Sequence, residues 1–115
     1  MAIRDVIGLA CLIMLFHSCI YERLEDDLKE CNAPVTYNSH IKTIIDTHCA
    51  VSGCHVQGFL PGDYTSYAVL KEKADAGKIR LFVFELRNMP PAGSLSLSDE
   101  EYALLDCWLK QNAKE

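Results

Sequence analysis

Stretches with a clear apolar periodicity alternate along this chain with stretches that have none, and the boundaries between them mark its elements. Val6 to Phe16 form one continuous apolar run. Residues 20–33 carry Glu22, Arg23, Glu25, Asp26, Asp27, Lys29 and Glu30 with no sustained apolar face, which reads as a charged tether. After Pro34 the pattern changes. Ile41, Ile44, Ile45 and His48 fall at i, i+3, i+4 and i+7, one stripe of a helix that Thr36 or Asn38 can cap and that runs directly into Cys49. Val56 to Asp63 contains Gly58, Pro61 and Gly62 and predicts a loop. A second helix is expected from Thr65 to about Ala76, with Tyr67, Leu70 and Ala74 on one side and Gly77 as its stop. Ile79, Phe82, Val83 and Leu86 make a third short stripe at the same spacing. Arg87 to Gly93 breaks the pattern, because Pro90 disfavours helix at Met89 and the pair Pro90-Pro91 stiffens an extended loop. Ser98 and Glu101 then form a capping box for a last helix reaching about Asn112, with Leu104, Leu105, Trp108 and Leu109 as its buried face and Tyr102 on the flank.

Length and charge narrow the possibilities. A chain of 115 residues has room for one domain with a single core. Its net charge of -5, without a basic patch, argues against nucleic acid and suits a soluble partner with a basic docking face. Arg4 followed by an apolar run too short for a comfortable membrane span predicts a signal peptide over residues 1–18, an uncleaved signal anchor being the alternative. Leu15-Phe16-His17-Ser18-Cys19 resembles a bacterial lipoprotein cleavage box, although Phe16 and His17 stand where small residues are commoner. That resemblance implies a lipidated Cys19 as the first residue of the mature protein, a tether over 19–33, a domain over 34–115, and a membrane lipoprotein facing the periplasm or cell surface. Cleavage removes Cys11 and lipidation occupies Cys19, leaving Cys31, Cys49, Cys54 and Cys107. In an oxidising compartment Cys31 and Cys107, outside the motif described next, are expected to pair as a disulfide, free buried thiols being the alternative.

The chemistry concentrates in Cys49-Ala50-Val51-Ser52-Gly53-Cys54-His55. A Cys-His dipeptide closely preceded by another cysteine is what covalent haem attachment needs: two thiols add across the haem vinyl groups, and the adjacent His becomes the proximal iron ligand. The usual spacing has two intervening residues, so Ala50 to Gly53 must bulge outward, which Gly53 permits. Two other readings fit the spacing. One is a zinc site of His48, Cys49, Cys54 and His55, although adjacent side chains point apart and no second ligand pair follows; the other is a Cys49–Cys54 disulfide. In the haem reading, the Pro61 carbonyl is expected to accept the second ring hydrogen of His55. His48 is expected to pack near the haem edge. No Ser/His/Asp or paired-carboxylate arrangement points to an enzyme.

The order of helix, Cys-x4-Cys-His, loop, two short helices, Met-Pro-Pro loop and amphipathic terminal helix with Trp108 resembles a class I monohaem c-type cytochrome over about residues 34–113. Its most specific parts are Cys54-His55, Met89-Pro90-Pro91 and the Ser98 to Trp108 helix start. The resemblance implies an all-α fold of about four short helices wrapped around one covalent haem c. Cys49 and Cys54 are then the thioether sites, with His55 and Met89 as the axial ligands. It also implies that the first and last helices cross, bringing the flanks that carry Cys31 and Cys107 together. The four-residue gap between the cysteines departs from the monohaem pattern and bears on maturation more than on the ligands. One Cys-His implies one haem and a one-electron carrier rather than an enzyme, its partners being redox proteins such as a respiratory complex, oxidase or reductase. Met89 is the only methionine outside the signal segment, and His40 and His48 are its rivals as distal ligand. A haem-based gas sensor with a displaceable Met89, or a structural zinc lipoprotein, are the competing functions.

Overall fold

The structure, a computed structural model, describes residues 30–115. The expected signal peptide, Cys11, the Cys19 lipidation site and most of the expected tether lie outside the described residues. Among those described, every regular element is helical, in keeping with the all-α expectation.

The first helical stretch opens with a π-helical turn, Tyr37–Ile41, that continues into α1, Lys42–His48. Of the two expected caps Thr36 is the one used: its hydroxyl accepts from the Ser39 amide, and its own amide donates to His40 Nδ1 at 3.2 Å. The turn is widened because Ile41 and Lys42 donate five residues back, to Thr36 and Tyr37. The stripe lies inward, with Ile41, Ile44, Ile45 and His48 buried, while Lys42 and Asp46 pair on the outer face. α1 stops at Cys49, whose amide still reaches Ile45 O at 2.9 Å.

α2 spans Tyr67–Asp75, starting two residues later and ending one residue earlier than its pattern suggests, with Leu70 buried and Gly77 at φ 71° beyond it. The third stripe becomes a second π-helical segment, Arg80–Glu85, closed by Leu86 N to Leu81 O at 2.9 Å. Ile79 and Val83 turn into the core, whereas Phe82 and Leu86 remain exposed. The following loop is tied back by the Asn88 and Met89 amides, both donating to Phe82 O, and its Met89–Pro90 peptide is cis.

α3, Asp99–Lys110, has the expected capping box: Glu101 N donates to Ser98 Oγ and Ser98 N to Glu101 Oε2 at 2.7 Å. Three acidic residues in its first turn and Lys110 in its last suit the helix dipole. Leu105, Cys107 and Trp108 are buried, and Leu104 and Leu109 half-buried, so the inward face is centred near Trp108. Trp108 Nε1 donates to Lys114 O at 2.7 Å, which folds the C-terminal residues back over the helix.

The two ends of the described chain meet there. Cys31 and Cys107, 76 residues apart, form a disulfide with Cα atoms 5.1 Å apart. Closing a loop of that length stabilises the fold by about 4 kcal/mol in the chain-entropy picture. The Gln111 amide reinforces it: Nε2 donates to Cys31 O and Ala33 O, and Oε1 accepts from Val35 N at 2.8 Å. Tyr37 N reaches Lys114 O, and Tyr67 Oη donates to Ala113 O, bringing α2 into the same knot. Asp106 of α3 takes Arg80 and Lys110, a half-exposed network worth about 1 kcal/mol per pair.

One polar contact crosses the core. His48, at the end of α1, meets Glu101 Oε1 through Nε2 at 3.0 Å and Leu95 O through Nδ1 at 2.9 Å. Burial pushes the Glu101 carboxyl upward, but the Ser98 amide, the His48 ring and the Ser98 hydroxyl outweigh it and hold the group below its usual range. Glu101→Gln should therefore lower the unfolding free energy at neutral pH by about 1–2 kcal/mol, read from urea denaturation. A folded-state pKa below the unfolded one gives stability that is present above the unfolded value and lost as pH falls through the folded value. The gap between variant and wild type should close in acid; a gap independent of pH would assign the loss to packing.

Candidate functional site

The end of α1, the 49–64 loop, the second π-helical segment and the Met-Pro-Pro loop leave between them a cavity of about 630 Å³, within the size range of pockets that hold a small ligand. Its inner wall is apolar, from Ile45, Ile79, Val83 and Leu105. Its rim carries Phe59, Phe82 and Met89, each more than a third exposed, with Lys73 and Lys78 as the cations among the lining residues.

Local hydrogen bonding explains how both cysteines reach this cavity. His55 N donates back to Cys49 O at 3.0 Å, so residues 50–53 project as a loop and Cys54 and His55 return beside the helix end. Inside the loop, Cys54 N meets Val51 O at 2.9 Å, a tight turn whose third residue is Gly53 at φ 81°. The four-residue gap is thus taken up by one extra turn, as the glycine suggested. Both cysteines are half-buried free thiols, so the structure holds no Cys49–Cys54 disulfide. Burial, with a smaller contribution from Cys54, pushes the Cys49 thiol up to about 11.

His55 is held from three directions. Its Nδ1 lies 3.1 Å from Gly62 O, and since a carbonyl only accepts, Nδ1 carries the hydrogen and Nε2 keeps a lone pair. The Tyr64 ring stacks on the imidazole, centroids 3.9 Å apart and planes within 5°, and the Phe59 edge approaches at 5.1 Å. Burial lowers the His55 pKa, against an upward pull from the Gly62 bond, which favours the neutral ring.

The expected acceptor, Pro61, is corrected to Gly62. Gly62 N bonds Phe59 O in a turn, and at φ 138°, open to glycine, the chain sets the Gly62 carbonyl against the ring; Pro61 instead lines the cavity. Met89 lines the same cavity together with Pro90 and Pro91. Both rivals to Met89 are otherwise engaged. His40 Nδ1 accepts from the Thr36 amide and the residue does not line the cavity, while His48 lines it with both ring nitrogens already within hydrogen-bond distance of partners, Leu95 O and Glu101 Oε1. Among the described residues no group of three or more His, Cys, Asp or Glu side chains is gathered as a metal site, so the four-ligand zinc arrangement is not assembled.

Two participants escaped the sequence reading, Tyr64 and Phe59. Both sit in a loop, where no periodicity reports which side chains turn inward, and their aromatic character was the only available signal. No protein-family model, curated protein or solved structure matches this chain.

With both thiols unmodified, Cys49 should react slowly with a disulfide reagent. Raising a thiol from 9.0 to about 11 cuts its thiolate at neutral pH about 100-fold. The greater nucleophilicity of the more basic thiolate recovers about tenfold, leaving exchange about tenfold slower than in a short cysteine peptide. Site-resolved mass spectrometry of the time course checks this, and a peptide-like rate at Cys49 would contradict its burial.

Proposed function

We propose that this chain is a one-electron carrier holding a single haem c in the cavity, attached through Cys49 and Cys54, with His55 and Met89 as axial ligands. The observation that carries the reading is convergence. Two free thiols, an imidazole with its Nε2 lone pair available and the only methionine among residues 30–115 line one apolar cavity.

The residues fit the group on chemical grounds. Apolar walls suit the macrocycle, Lys73 and Lys78 suit its two carboxylates, and the half-buried thiols suit thioether formation with its vinyl groups. When bound, the haem supplies reversible one-electron iron chemistry, and a thioether sulfur opposite an imidazole raises its potential. The protein's own residues bind, orient and exclude water. Gly62 O fixes the His55 tautomer and strengthens the ring as a donor. The paired bonds to Phe82 O anchor the Met89 backbone. Were His55 and Met89 both to hold the iron, a bound haem would keep no open position for substrate, which favours transfer over catalysis. A lipid on Cys19 would tether the carrier to a bacterial membrane, where it would meet soluble or membrane-bound redox partners.

Protein matured alongside the c-type assembly machinery should gain the mass of one haem and give the pyridine haemochrome spectrum of a doubly thioether-linked haem. A mass equal to the polypeptide would end the proposal. Met89→Ala should abolish a far-red sulfur-to-iron charge-transfer band and lower the midpoint potential. A bis-histidine spectrum indifferent to that substitution would reassign the ligand, and tight carbon monoxide binding by the reduced wild type would favour a gas sensor.

A further inference from the structure

We infer that Tyr64 is a positioning residue that sets the plane of the His55 imidazole, with Gly62 as the seat that makes the arrangement possible. The inference rests on the haem reading and deepens it, since the ring in question is the proposed axial ligand.

A histidine ring turns about two side-chain torsions, and one hydrogen bond at Nδ1 fixes the position of that atom but leaves the ring free to tilt about it. A flat surface in contact removes the remaining freedom. Tyr64 supplies it, lying parallel within 5° at 3.9 Å, the closest ring pair described. Phe59 adds an edge contact at an 83° angle.

The Tyr64 ring is itself immobilised. It is 8% exposed, and its backbone amide donates to His55 O at 2.9 Å, closing the 55–64 loop at its base. The two stacked residues are therefore joined through backbone as well as ring.

Gly62 serves both. Its carbonyl accepts the ring hydrogen of His55, and a Cβ placed on it would lie 3.0 Å from Tyr64 Cε1 and 3.4 Å from Lys73 Cε. Its φ of 138° is one that side-chain-bearing residues rarely adopt. Any other residue there would disturb the acceptor and the stacking ring together.

The orientation of an axial imidazole about the iron–nitrogen bond governs how unpaired spin distributes over a ferric macrocycle. It is read directly in the order and spread of the four haem-methyl proton shifts. Stability alone does not discriminate, because a merely structural tyrosine would also lower the melting temperature when removed. The methyl order moves only if the imidazole plane moves.

The test uses ferric holoprotein carrying Tyr64→Phe, Tyr64→Leu and Gly62→Ala. Tyr64→Phe should keep the wild-type methyl order, because the stacking face is retained. Tyr64→Leu should reorder the methyl shifts, and so should Gly62→Ala with the aromatic ring still present. An unchanged order in Tyr64→Leu, or a change in Tyr64→Phe as large as in Tyr64→Leu, overturns the assignment. Should either disruptive variant fail to fold, cross-relaxation between the Tyr64 and His55 ring protons of the wild type decides, its absence overturning the proposal. Protein that gains no haem mass overturns the electron-carrier reading and this inference together; haem-loaded protein with an insensitive methyl order overturns only this one.

Discussion

The side-chain amide of Gln111 and the Cys31–Cys107 bridge hold the beginning and end of the described chain together, and the remaining packing depends on that closure. The helices are short, α1 only 7 residues and α3 12, below the length at which isolated helices persist in water. They need tertiary partners. Fastening residues 31–37 to the last turn of α3 and its C-terminal residues supplies these, because it fixes where the first helical stretch starts. Trp108 completes the closure, fully buried and bonded to Lys114 O at 2.7 Å, so the C-terminal residues also cover the core.

From that closure the cavity follows. α1 runs from the clasp into the interior and ends at Cys49, with His48 just before it locked between Leu95 O and Glu101. The two nitrogens of a buried imidazole are satisfied only when both partners are in place, and none of the buried side-chain polar atoms described is left without a partner. The helix end is thereby fixed in position and rotation, and the 49–55 loop is launched from a defined point. Ile79, Phe82 and Val83, in and just before the second π-helical segment, and Lys73 of α2 complete the cavity lining.

Burial gives the cavity its chemical character. It disfavours charge on the Cys49 thiol and on the His55 ring, and raises the Tyr64 phenol as well. The donors that line it are neutral: two thiols, an imidazole nitrogen and, at the mouth, a thioether. The remaining polar groups lining the cavity are the rim lysines and a histidine already bonded to Leu95 O and Glu101. Exposed Phe59, Phe82 and Met89 keep the mouth apolar.

Much of this was legible from sequence because it is local. A helical stripe from Ile41 to His48, the Ser98–Glu101 box, the Gly53 turn and the breaks at Gly77 and Pro90 all depend on residues within a few positions of one another. The Cys49-Cys54-His55 motif was likewise readable, its three reactive groups being fixed by spacing. Tertiary structure decided whatever depends on residues far apart or on loop conformation. Gln111 bonding residues some 80 positions away, and His48 finding Leu95 and Glu101, leave no trace in periodicity. The choice of Gly62 over Pro61 was set by a φ of 138° rather than by residue type, and the inward turn of Tyr64 followed from the closed loop. Phe82 and Leu86 share a helical stripe with Ile79 and Val83, yet only the last two are buried, because a π-helical backbone turns less per residue than the α-helix that the pattern assumed, which aligns i with i+4 and carries i+3 off that face.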